Sequence, residues 1–85
     1  MKNIVIIGAS GHGGMVLDCI RKEGKYNVVG FIDSFKEKGT IQYGLQVLGA
    51  ELDLPALIWD LDLHGAIIAI GNNWTRKEMV NKIGN

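Results

Sequence analysis

The sequence predicts a small three-layer α/β domain with a parallel sheet. Lys2–Ile7 is a continuous β-branched run without polar alternation, and residues 66–70 repeat that pattern. Such runs suit parallel strands covered on both faces. A glycine-rich stretch, Gly8-Ala9-Ser10-Gly11-His12-Gly13-Gly14, joins the first run to a helical pattern. Strand, glycine turn and helix in that order open a Rossmann-like nucleotide-binding unit.

The first strand is expected over Lys2–Ile7, and the helix after the glycine turn over 15–23. Val16, Cys19, Ile20 and Glu23 fall on neighbouring turns of that helix, leaving Asp18, Arg21 and Lys22 to face water. Gly24 stops it. Tyr26–Ile32 is the second strand, placed parallel to and beside the first by the right-handed crossover rule. Gly30 within it marks a close approach of backbone or helix. Residues 34–44 read as a polar, mobile loop, with Gly39 and Gly44 as turn formers. A short third strand is expected at 45–48, and a short helix at 55–60, where Asp53-Leu54-Pro55 forms a helix start. A buried parallel strand follows at 66–70, then a loop, Gly71-Asn72-Asn73. A last helix is expected from about Arg76 to Ile83, with Thr75 and Glu78 at capping-box spacing.

At 85 residues the chain is one domain, spanning 1–85. Composition is that of a soluble globular protein, 47% hydrophobic and 21% charged. Nine basic and nine acidic residues cancel, which removes the electrostatic argument for nucleic acid or an anionic membrane surface. The single cysteine fits a reducing compartment, and no Cys/His cluster has metal-ligand spacing. No signal peptide is read at the N-terminus, and no apolar stretch approaches the roughly 20 residues that span a bilayer. A cytoplasmic location is expected.

In an open parallel sheet, ligands bind outside the carboxyl ends of the strands, at the topological switch point. The Gly8–Gly14 turn, the Asp33–Phe35 loop and the Gly71–Asn73 stretch all belong to that edge. Backbone amides at the helix start suit phosphate. Asp33 stands where a carboxylate reaches a ribose or base donor, and Asn72 or Asn73 adds a polar amide. A dinucleotide fingerprint, G-x-G-x-x-G, requires glycine at position 10, where this chain has Ser10. Gly8, Gly11 and Gly14 fit a wider G-x-x-G-x-x-G spacing. His12 is expected in loop structure or ligand contact rather than catalysis, and His64 in a solvated turn or a cap. Cys19 and Trp59 are expected in the core, and Trp74 against the last helix.

The motifs G-A-S-G-H-G-G, F-I-D-S and A-I-G-N-N-W-T-R-K, in that order, closely resemble the N-terminal domain of bacterial nucleotide-sugar acetyltransferases related to the PglD and NeuD enzymes. The resemblance covers nearly the whole chain. It implies an acceptor-binding domain for a UDP- or CMP-linked sugar, in sialic acid or bacterial glycan biosynthesis. It also implies a C-terminal left-handed β-helix domain of hexapeptide repeats, which carries the catalytic histidine and the acetyl-CoA site and trimerises the full enzyme. On that pattern Gly8, Ser10, Gly11, His12, Gly13, Asp33, Ser34 and Asn72 line the nucleotide-sugar pocket. Two departures stand out. Ser34 replaces the second carboxylate of the family's F-[IL]-D-D motif, and no hexapeptide repeat occurs in the chain. No catalytic residue is therefore assigned, no cofactor is expected on this domain, and acetyl-CoA is the co-substrate of the full enzyme. The family pattern continues with another strand, so an open sheet edge or groove is expected here. Two other readings remain: an NAD(P)-binding piece of an oxidoreductase, which lacks a Tyr-x-x-x-Lys pair here, and a non-enzymatic ligand-binding module.

Overall fold

The computed structural model describes residues 1–8, 13–70 and 73–78, with the backbone alone at 70 and 73–78. The described elements are β1 (Lys2–Ile7), α1 (Gly13–Glu23), β2 (Tyr26–Ile32), β3 (Ile41–Gln42), β4 (Leu45–Gly49), a 3₁₀ turn (Glu51–Asp53), α2 (Leu54–Asp60), β5 (Leu63–Ile70) and β6 (Asn73–Glu78). They form a sheet in the order β3-β4-β2-β1-β5-β6. β1, β2, β4 and β5 run parallel, while β3 and β6 are antiparallel edge strands.

Two cores flank the sheet, because successive side chains of a strand point to opposite faces. Ile4, Ile6, Val28, Phe31, Val47, Ile67 and Ala69 pack with Val16, Leu17 and Ile20 of α1. On the other face Val5, Ile32, Leu63 and Ala66 meet the half-buried Leu54, Leu57, Ile58 and Leu61 of α2 and its end. The expected three-layer arrangement is therefore the one observed, and β2 lies parallel beside β1 as the crossover rule requires. Gly30 does mark a close approach: a Cβ there lies 2.7 Å from the Gln46 carbonyl oxygen of β4.

Several expectations are corrected. α1 begins at Gly13, two residues earlier than position 15, and its buried stripe is Gly13, Val16, Leu17 and Ile20. Cys19 and Glu23 are exposed instead. At 3.6 residues per turn Cys19 sits about 100° round from Ile20, and Leu17 takes the inward position. Trp59 is 61% exposed, because Leu54, Leu57, Ile58 and Leu61 already occupy the sheet-facing side of α2. The stretch read as a polar loop contains β3, joined to β4 by Tyr43 and Gly44. Both have positive φ, +52° and +84°, the combination of a type I′ hairpin turn.

The expected last helix is overturned where it is described. Asn73–Glu78 is a strand, paired antiparallel with β5 from Ile70↔Asn73 to Gly65↔Glu78. A Thr75–Glu78 capping box stabilises a helix start only locally, whereas strand pairing satisfies a whole row of β5 backbone groups. Among the described residues the sheet ends on β6 on that side. The remainder of the predicted helix, to Ile83, lies outside the described residues.

Candidate functional site

The carboxyl ends of β1, β2 and β4 are joined laterally. Gly8 N–H donates to the Ile32 carbonyl at 2.8 Å, and Asp33 N–H donates to the Gly49 carbonyl at 3.0 Å. The ladder thus runs past the last strand residues into the loops, and it holds Gly8 beside the end of β2. β1 has β2 on one side and β5 on the other, so its carboxyl end lies at the switch point of the sheet.

Gly8 has φ +104°, and a Cβ there lies 2.5 Å from the Ala69 carbonyl oxygen of β5. Glycine is the residue that fits both the backbone angle and the space. Gly13 opens α1 and is buried. A Cβ at this position lies 2.7 Å from the Gly8 carbonyl oxygen and 3.3 Å from Phe31 Cε1. The start of α1 is thereby pressed against the end of β1. Its first N–H groups have no partner within the helix, and its dipole is positive at this end. Such a helix start suits an anion.

Asp33 is 8% exposed and the one buried charged residue among those described. Its Oδ1 accepts the Phe35 N–H at 2.8 Å, closing a turn of the Asx type. Ser34 is exposed, and its Oγ accepts the Glu51 N–H at 3.4 Å, which ties the loop after β2 to the one after β4. The structure therefore brings together Gly8, Gly13, Asp33 and Ser34 at one edge of the sheet. Ser10, Gly11, His12 and Asn72 lie outside the described residues, as does the side chain of Trp74.

Two aromatic residues stand at this end; the sequence reading places Phe35 in a loop at this edge but gives neither ring a role. The Tyr43 ring lies over Gly14 in the first turn of α1, where a Cβ would be 2.5 Å from its Cε1. The same ring stands 6.1 Å from that of Phe31, tilted at 55°. Phe35, on the Asp33 turn, is 98% exposed. The positive φ of Tyr43 was traceable to the Tyr-Gly pair of a two-residue hairpin, whereas the exposure of Phe35 has no local sequence signal.

Elsewhere, His64 lies within β5 rather than in the turn expected for it; it is exposed, with Nε2 3.5 Å from Asp62 Oδ2. Among the described residues no group of three or more His, Cys, Asp or Glu side chains is arranged to hold a metal ion. No described helix is long and apolar enough to cross a membrane.

A family model described as the PglD N-terminal domain matches residues 3–83. Among solved structures, the chain is similar to a perosamine N-acetyltransferase from Caulobacter crescentus, an H141N mutant in complex with CoA and GDP-perosamine. Identity is 30% and the TM-score 0.70, over 85% of this chain and 32% of that one. The chain thus spans about a third of that protein's length. A UDP-D-quinovosamine 4-dehydrogenase from Vibrio fischeri is 13% identical with a TM-score of 0.68, over 98% of both chains, a likeness of fold alone. None of the curated proteins matches the chain.

Proposed function

The chain belongs to the PglD N-terminal domain family, and from that premise we propose that it is the acceptor-binding domain of a sugar acetyltransferase. Its ligand is a nucleotide-activated sugar. The diphosphate lies against the backbone N–H groups of the glycine turn and the start of α1, with Gly8, Ser10, Gly11, His12 and Gly13 forming the cradle. The Asp33 carboxylate accepts a hydrogen bond from a ribose hydroxyl or a base N–H, and Ser34 and Asn72 add polar contacts. The complete enzyme, a cytoplasmic trimer of bacterial glycan or sialic acid biosynthesis, transfers acetyl from acetyl-CoA to the bound sugar. Its catalytic histidine and acetyl-CoA site belong to a β-helix domain C-terminal to this one. This chain by itself binds the acceptor and transfers nothing.

One observation carries the reading. The Gly8–Ile32 hydrogen bond sets Gly8, at the end of β1, beside the end of β2 that leads into the buried Asp33, at the switch point of a parallel sheet. That placement supports phosphate and ribose recognition at one edge of the sheet. The resemblance suggests UDP or CMP as the nucleotide, and the similar perosamine enzyme was crystallised with GDP-perosamine.

Calorimetric titration with UDP-, CMP- and GDP-linked sugars, with NAD as the competing ligand, tests this. Binding of a nucleotide sugar, with a matching rise in the thermal midpoint, is the expected result. Binding of NAD in preference overturns it in favour of an oxidoreductase piece. Acetyl transfer from acetyl-CoA by this chain alone overturns the division of labour between domains.

A further inference from the structure

Phe35 carries a role that neither the family motifs nor the glycine turn assigns. Its ring is 98% exposed, whereas Phe31, four residues earlier, is fully buried. Its backbone is nevertheless held in place. Its N–H is bonded to Asp33 Oδ1 at 2.8 Å, and the neighbouring Ser34 hydroxyl takes the Glu51 N–H. A side chain that gains nothing from burial thus stands on a backbone anchored to the carboxylate of the candidate site.

We propose that Phe35 is the stacking platform for the base of the bound nucleotide. This deepens the nucleotide-sugar reading and rests on it. A nucleotide with its phosphates at the start of α1 and its ribose at Asp33 directs its base outward, past Asp33, over the turn at 34–36. The surface met there is the open face of the Phe35 ring. Bases stack on aromatic rings through π-faces that all of them share, so the ring supplies affinity rather than choice of base. Discrimination falls to polar groups such as Ser34, which stands where the family motif carries a carboxylate. Because the turn is formed before the ligand arrives, little ordering is lost on binding.

Titration of the chain with UDP, CDP and GDP, and with inorganic pyrophosphate as a base-free probe, tests the assignment in the parent, Phe35→Ala and Phe35→Trp. Phe35→Ala is expected to weaken the nucleoside diphosphates about ten-fold and leave pyrophosphate unchanged. Phe35→Trp retains parental affinity, and neither substitution shifts the thermal midpoint. In NMR spectra, base protons move upfield on binding to the parent, and that shift is lost in Phe35→Ala. Equal nucleotide affinity in parent and Phe35→Ala overturns the proposal and leaves the nucleotide-sugar reading standing. An equal loss for pyrophosphate overturns it too, as damage to the phosphate cradle. A parent chain that binds neither nucleoside diphosphates nor nucleotide sugars overturns both.

Discussion

Gly8 and Gly24 both have positive φ, +104° and +70°, yet a methyl group meets different surroundings at each. At Gly24 nothing lies within 4 Å, so Gly24→Ala is expected to cost about 1 kcal/mol, the backbone penalty alone. At Gly8 the methyl also strikes the Ala69 carbonyl, and Gly8→Ala is expected to cost about 3 kcal/mol or more. Urea unfolding of the two variants separates angle from space. Asp33 gives a second contrast. Asp33→Asn keeps a carbonyl oxygen for the Phe35 N–H but loses the charge. Stability is expected to stay within about 1 kcal/mol of the parent, while calorimetry shows nucleotide-sugar affinity reduced about ten-fold. A drop in stability with unchanged affinity makes Asp33 a turn brace only. Gly8 and Asp33 were legible in the sequence because a glycine at a strand end and a carboxylate at the next strand end are local signals. The place of Phe35 in the loop after Asp33 was legible too, but its exposure was not, because that depends on which side chains fill the core, and Phe31 is the buried one of the two.

Among the elements, α2 shows how a short helix divides its residues. Leu57 and Ile58 are half-buried against the β-sheet, and Trp59 points away from it. Leu57→Ala is expected to cost about 1–2 kcal/mol, whereas Trp59→Ala changes stability by less than about 0.5 kcal/mol despite removing a larger side chain. β6 is the element on which local and non-local preferences disagree. Its pairing with β5 predicts cross-strand NOEs between the backbones of Ile67 and Arg76 and of Ile68 and Thr75. Sequential helical NOEs over the same residues would restore the capping-box reading. β3 was missed for a related reason: two residues are too few to show a period, and only pairing with β4 makes them a strand.

At the scale of the whole molecule, a small sheet is held between two thin layers, so few side chains carry most of the stability. A chain of this size is worth about 4–13 kcal/mol in total. Phe31 is fully buried, lies in the α1-side core and touches the space of both Gly13 and Tyr43. Phe31→Ala is expected to cost about 3–5 kcal/mol, read as a large fall in the urea midpoint. The same substitution loosens the start of α1, so ligand affinity falls with it. The core beneath the site and the site itself are thereby one packing unit.

The sequence by itself determined β1, α1, β2 and the strand within 66–70, together with Gly8 at the end of β1, Asp33 at the end of β2 and the family. These are written in short stretches: β-branched runs, a helical period, and glycines where a side chain has no room. Tertiary structure decided the rest. It set α1 two residues earlier, turned Cys19 and Trp59 outward, built β3 and β6 as edge strands, and left Phe35 in the open beside the buried Asp33. Each of those outcomes depends on which distant segment takes an inward position or a row of backbone hydrogen bonds first. That competition is settled only when the layers pack.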